Sequence, residues 1–378
     1  MKALEGIRIL DLSQKLTVSL ATMYLGQYGA EVIKVESPEV GDRARTWEPM
    51  LPEGSIYFNY LNSGKKSITL NYKEQAGAEI LKKLVRTCDV ICINEMAGTM
   101  EALGLGYEDL CKEKPDLVYA AYSYYGETGP WSKKPGSSLT AQAKGVAMDM
   151  TGVVGEYPVQ SAPSIAEHYS AGYLATGIIM GVMERNMTGN PQKVDIALLD
   201  SIFSCIEAAP AAASTVGEIH TRKGNFDPSC APYDTFEVND GYVAIGIATQ
   251  LQWEKFCDAM DMVDLKENPR FADNELRRAD YRDVLRPVLA DRLITWSKFD
   301  VEHKCRTLGI PCCAVLDIPE ITDLPNTLEN GYMTVFESPR FGHLRYPAVP
   351  FVLSETPAAE FADAPALGAD TEEILAGI

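Results

Sequence analysis

Short apolar runs alternate with stretches of helical spacing through about the first 125 residues. Ile7–Leu12 is an apolar run closing on Asp11-Leu12-Ser13, and Ser19–Tyr28 carries apolar residues at helical intervals with Gly29 placed to cap it. Glu31–Glu36 (EVIKVE) is rich in β-branched residues and predicts a strand. Ser67–Leu70, Val90–Ile93 and Leu117–Ser123 predict further strands, and Gln75–Thr87 an amphipathic helix between two of them. Strands alternating with helices build a parallel sheet covered on both faces, so an α/β fold is expected.

Beyond Tyr124 the texture changes. Gly and Pro punctuate YYGETGPW, KKPGSS and TGVVGEYP, which predicts loops around a helix at Leu139–Met150. A long helix is expected over about Ile165–Asn186. Glycine inside a helix costs about 1 kcal/mol relative to Ala. Gly172, Gly177 and Gly181 therefore predict close packing there against another backbone or a ligand. Gln192–Leu199 reads as a strand, or as a strand leading into a helix. Tyr233–Val238, Asn239-Asp240-Gly241 and Tyr242–Ile247 predict a hairpin. Helices are expected over Gln250–Met260, Arg277–Leu293 and Val301–Leu308, with an extended Ile310–Leu316. The Pro-containing tail ends in a short helix over Thr371–Gly377. The expected domains are residues 1–200 with 325–378, a linker at 201–224 and a smaller α+β domain at 225–324.

Composition narrows the function. The net charge of −19 and pI of about 4.7 repel nucleic acid and anionic membrane, so neither partner is expected. Any phosphate site must be a local set of cations or backbone amides. No window of about 18 apolar residues exists to span a bilayer. The start, MKALEGIRILDLSQ, does not read as a secretory signal, because Asp11 interrupts a short apolar stretch. The nine cysteines lack zinc-site spacing and histidine partners, so reduced thiols in a cytoplasmic protein and no metal are expected.

Several stretches in order resemble one family. They include LEGIRILDLSQKL, LGQYGAEVIKVESPEVGDRAR, YFNYLNSGKKSITLN, LGLGYEDLCKEKPDLVYAAYSYYGETGPW, GNPQKVDIALLDS, APYDTFEVNDGYVAIGI, NPRFADNELRRADYRDVL and PALGADTEEIL. The chain is identified by them as resembling the class III coenzyme A transferases, the formyl-CoA and carnitine CoA-transferase group that also contains α-methylacyl-CoA racemases. The resemblance implies a Rossmann-like large domain, a smaller α+β domain and two chains interlocked as a homodimer; a heteromer with a paralogue is an alternative. It implies acyl-CoA and carboxylic acid substrates, and no cofactor beyond coenzyme A as substrate.

The family's nucleophile is an aspartate in a stretch of the form pxaDxxaG. The matching stretch here is Pro163-Ser164-Ile165-Ala166-Glu167-His168-Tyr169-Ser170-Ala171-Gly172, so the resemblance places Glu167 in that role. A carboxylate can split acyl exchange into easier covalent steps. Read from the residues alone, Glu167 is an acid in the first turn of a helix, where the dipole favours it. The racemase branch is disfavoured because Pro135-Gly136-Ser137-Ser138-Leu139 lacks the His-Asp pair that acts there, and His168 points about 100° away from Glu167 on the helix. A non-catalytic partner subunit is the third possibility.

Arginines that the family places around the nucleotide are replaced here by Ser37, Ala102 and, in Ile93–Gly98, by a segment without Arg. CoA contacts are therefore expected from Lys15, Leu16, Thr17, Arg43, Lys65, Lys66, Asn94 and Leu103. Backbone amides near Gly246–Thr249 and in the Thr17–Ser19 turn are candidates for an oxyanion or the pantetheine, and Trp47, Tyr57 and Phe58 for the acyl side.

Overall fold

The computed structural model describes residues 2–378. The chain divides into two compact units, 1–148 with 160–219 and 326–378, and 149–159 with 220–325.

The first unit is built on six parallel strands: β1 (Arg8–Asp11), β2 (Glu31–Glu36), β3 (Lys66–Thr69), β4 (Val90–Ile93), β5 (Val118–Ser123) and β6 (Gln192–Ala197). Their order across the sheet is β3-β2-β1-β4-β5-β6. This is the doubly wound order in which ligands bind outside the carboxyl ends of the strands, where the order reverses between β1 and β4. The central strands are buried on both faces, which explains why β4 and β5 read as continuous apolar runs without alternation.

Helix α1 (Thr17–Gln27) follows β1, and α2 (Gln75–Val85) follows β3. The helix expected at 139–150 is two pieces, α3 (Ser138–Lys144) and a turn at Ala147–Met150, parted by Val146 at φ 69°. A β-branched residue in that region cannot continue a right-handed helix. Helix α4 runs from Ile165 to Thr188 and ends on Gly189 at φ 75°. Gly177 and Gly181 face the sheet, whereas Gly172 is exposed with open space beside it. A Cβ on Gly177 would lie 2.7 Å from Val194 of β6, and one on Gly181 would lie 3.0 Å from Val118 of β5. The close neighbours are strand side chains, not the other backbone or ligand that the sequence suggested.

The tail holds a hairpin that the sequence reading missed. Met333–Ser338 pairs antiparallel with Gly342–Pro347, and Tyr346 and Phe361 pack on Tyr60 with ring centroids 5.2 and 5.9 Å away. The last helix, Thr371–Leu375, covers the sheet edge. Asp370 and Thr371 accept from the backbone N–H groups of Ser67 and Thr69 on β3, at 2.8 and 3.0 Å.

The second unit has a three-stranded antiparallel sheet. Tyr233–Val238 pairs with Gly241–Gly246, which pairs with Cys312–Ala314. Gly241 turns the hairpin at φ 149°. Its core contains Phe236, Trp253, Phe256, Tyr281 and Leu289. No helix among the described residues is long and apolar enough to cross a membrane.

Candidate active site

A crevice of about 270 Å³ opens where the strand order reverses. The loop after β1 and the loop after β4 form its floor. Asn94 clamps them together, donating to the Gln14 carbonyl at 2.6 Å and accepting from the Gln14 N–H at 3.2 Å. Lys15 takes a left-handed φ of 71°, and its N–H is held by the Asp42 carboxylate at 3.0 Å. The same Asp42 oxygen caps the 3-10 turn Arg43–Thr46 through the Ala44 N–H at 2.8 Å. One carboxylate thus sets both loops that carry Lys15 and Arg43, and both side chains line the crevice.

The crevice also gains Lys73 and Lys134, which the sequence did not single out. Lys73 is paired with Glu95 at 3.0 Å. Lys134 lies 5.4 Å from the Trp131 ring and has no acidic partner among the described residues. Four cations around one opening form a local positive site on a chain of net charge −19.

Other expected contacts lie elsewhere. Lys65 is buried beneath the floor, its ammonium bonded to Asp11, the Ser19 carbonyl, Thr22 and Asn62 at 2.8 to 3.0 Å. Three donors facing four internal acceptors leave nothing for a phosphate. Lys66 points to the sheet edge and pairs with Glu31 at 3.0 Å and Glu373 at 3.4 Å. Leu103 packs against the apolar cluster on one face of the sheet, and Leu16 is buried just before α1. Phe58 is a core residue under the Arg45 guanidinium, 3.9 Å from its ring centre. Gly246–Thr249 belongs to the second unit, at the end of its central strand.

Under the crevice Asp11, Lys34, Lys65 and Asp42 form a wholly buried charge cluster, with Lys34 2.8 Å from Asp42 and Lys65 3.0 Å from Asp11. Burial alone would raise the Asp11 pKa. Lys34 and Lys65 overcome it, aided by the Ser13 and Thr22 hydroxyls, and hold this carboxyl well below the usual carboxylate range. Burial wins at Lys65, lowering it to about 8 against the pull of Asp11.

Glu167 stands in the first turn of α4, half-buried. Its Oε2 accepts from the Ser138 hydroxyl at 2.9 Å. Ser138 Oγ in turn accepts from the Gln142 amide at 3.2 Å, and the Gln142 carbonyl oxygen accepts from the Ser161 N–H at 3.1 Å. Tyr57 and Tyr122 lie within reach of the carboxylate's charge. Burial raises both phenols above their ordinary value, and the Glu167 charge adds to the rise. Tyr122 also lines the crevice, and the neighbouring Thr17 hydroxyl partly offsets the rise of its phenol, so it joins the cationic opening to Glu167. Trp47 stands 5.7 Å from the Tyr57 ring. His168 is exposed, its Nδ1 2.8 Å from the Ser164 carbonyl oxygen. Where a histidine–aspartate pair would serve proton abstraction, the loop offers Ser138. Among the described residues no cluster of His, Cys, Asp or Glu is suited to a metal ion.

A doubly wound sheet with a cationic crevice at its switch point suits a phosphate-bearing ligand held outside the strand ends. Residues 4–371 match the model of CoA-transferase family III, and the chain belongs to that family of CoA-transferases. It is 32% identical over 383 residues to succinyl-CoA:glutarate CoA-transferase of Homo sapiens, covering 99% of this chain and 86% of that one. It is 34% identical over 387 residues to succinyl-CoA:mesaconate CoA-transferase of Haloarcula hispanica, covering 99% and 96%. A crystal structure of a CAIB/BAIF family protein from Brucella suis superposes with a TM-score of 0.91 at 28% identity, covering 100% and 99%.

Proposed function

We propose that the chain moves coenzyme A from an acyl-CoA to a free carboxylic acid with Glu167 as covalent nucleophile. The observation that carries this reading is the Glu167 carboxylate itself. Ser138 holds Oε2, and no donor among the described residues reaches Oε1. Oε1 attacks the thioester carbonyl, giving a mixed anhydride and CoA thiolate. The thiolate then attacks Glu167 Cδ, the donor acid leaves, and a glutamyl-CoA thioester remains. The acceptor acid reverses the sequence. The reaction calls for no resident cofactor, since coenzyme A passes through as substrate.

In this reading the crevice takes the CoA phosphates on Lys15, Arg43, Lys73 and Lys134, which replace the family arginines. The clamp at Asn94 and the Tyr122–Thr17 contact set the path from there to the carboxylate. Relatives named for succinate, glutarate and mesaconate support a dicarboxylic acid as the acceptor class. The protein would work as an interlocked homodimer, supported by the exposed Met180, Met183 and Met187 on α4. Nine free thiols fit a cytoplasmic site.

The test is to incubate the protein with succinyl-CoA, reduce with borohydride and map the modified peptide. Reduction at Glu167 with loss of transfer activity is expected. Modification elsewhere, or none, refutes the covalent role. Solvent deuterium entering the acyl α-carbon without an acceptor acid would favour a racemase instead.

A further inference from the structure

We infer that the Ser138 hydroxyl is the oxyanion donor for the two steps in which a nucleophile attacks Glu167 itself. This inference rests on the nucleophilic role of Glu167 proposed above. The Ser161 N–H can only donate, so it fixes the Gln142 carbonyl oxygen towards itself and turns the Gln142 amide nitrogen to Ser138. Gln142 is buried at 3% exposure, which keeps that amide from turning over. Ser138 Oγ, already accepting from Gln142, has one proton, and the geometry sends it to Glu167 Oε2 at 2.9 Å. Every polar hydrogen along the chain thus has one direction, from a backbone amide to one carboxylate oxygen. Ser138 is free to do this because the start of α3 is capped by its neighbour Ser137, in a capping box with Thr140.

The two oxygens of Glu167 then have different fates. Oε1 forms the bond to the donor acyl carbon and later leaves with the donor acid. Oε2 becomes the carbonyl oxygen of the anhydride and of the thioester. When CoA thiolate adds to Cδ, the C–S bond forms, the π electron pair moves onto Oε2, and its return expels the donor carboxylate. When the acceptor carboxylate adds to the thioester, the same oxygen takes the charge again and its return expels CoA thiolate. A donor near 2.9 Å is at the distance an oxyanion requires. It meets a weakly charged carbonyl before each step and a full negative charge during it, so the bond strengthens where the barrier lies. The first and last steps put charge on the substrate carbonyl oxygen, which Ser138 does not touch in this arrangement. Ser138 is accordingly a catalytic residue for the inner steps, and Gln142 a positioning residue that acts through it.

The half-reactions separate the claim. Wild type, Ser138→Ala and Ser138→Thr are mixed with succinyl-CoA without acceptor acid and quenched at intervals, and the CoA thioester on the Glu167 peptide is measured by mass. Melting curves check that each variant is folded. Ser138→Ala is expected to form the thioester on the order of 100-fold more slowly, the loss typical of one oxyanion donor, with the KM for acyl-CoA unchanged. Ser138→Thr keeps the hydroxyl and is expected to stay within about fivefold of wild type, far short of that loss. Thioester formation at the wild-type rate in Ser138→Ala overturns the inference and leaves the covalent role of Glu167 standing. Equal losses in both variants overturn it too, since they would follow from disturbed packing. Absence of the adduct in wild type instead overturns the reaction proposed for Glu167.

Discussion

Lys65 and Lys66 are neighbours in sequence, yet one is locked under the crevice floor and the other pairs across the sheet edge. Successive residues entering a strand point to opposite faces, so a Lys-Lys pair cannot be read as one phosphate site. The buried member answers to Asp11, which also faces Lys34. Asp11→Asn would leave two buried ammonium groups short of a counter-charge. A loss of about 3–5 kcal/mol at neutral pH is expected by denaturant titration. The folded-state pKa of Asp11 lies below its unfolded value, so its contribution is present above about pH 3.8 and is lost as pH falls through the folded value. Wild type should therefore lose stability steeply below about pH 4, and the Asn variant should show a shallower acid limb. Glu167 poses a different question, because register marked it while Ser138 and Gln142 carried no signal. Ser138 meets it across 29 residues of Gly- and Pro-rich chain, and Gln142 only through Ser138. Shortening it to Asp would withdraw the carboxylate by about 1.5 Å, one carbon–carbon bond. Misplacement on that scale costs about 100-fold in rate. Glu167→Asp is thus expected to lower kcat by about that factor despite restoring the family residue, and Glu167→Gln to abolish the adduct; steady-state kinetics with succinyl-CoA and peptide mass decide both.

At the level of elements, the parallel strands were legible because each is an apolar run too short for a helix and bounded by loop residues. β2 and β4 have the ends expected from sequence. The hairpin at 333–347 was hidden by Pro339 and Pro347, which read as coil, although Pro347 sits at a strand end where no ladder bond is forfeited. Helix α4 was legible in extent, but its glycines were not legible in purpose, since nothing in the sequence places β5 and β6 against them. The packing makes a definite claim about Gly177. Alanine there would gain about 1 kcal/mol in helix propensity but drive a methyl group to 2.7 Å from Val194. Overpacking of this kind costs about 1–3 kcal/mol. Gly177→Ala should be net destabilising in thermal denaturation, and adding Val194→Ala should remove most of the penalty through the coupling of the pair. An additive double mutant would show that the two positions do not press on each other.

The whole molecule combines a strongly acidic chain with a small cationic opening, and a long helix whose outer face is unusually apolar. Met180, Met183 and Met187 are 64, 58 and 73% exposed, with Tyr169 and Tyr173 also exposed towards the start of the same helix. A net charge of −19 disfavours chance association of two copies, so a stable pair has to rest on buried apolar area. Flexible methionine side chains suit such a surface, since they repack without a fixed partner shape. If two chains are threaded through one another, they cannot separate without unfolding. Light scattering after gel filtration should then give a single species at twice 41.4 kDa, unchanged on dilution to nanomolar concentration. Ordinary face-to-face dimers obey mass action and lose their partners on dilution. A monomer at 41.4 kDa, or a mass that falls on dilution, would rule out interlocking. Replacing Met183 with Asp puts an unpaired charge into the proposed contact. It should therefore reduce the yield of folded dimer rather than release folded monomers.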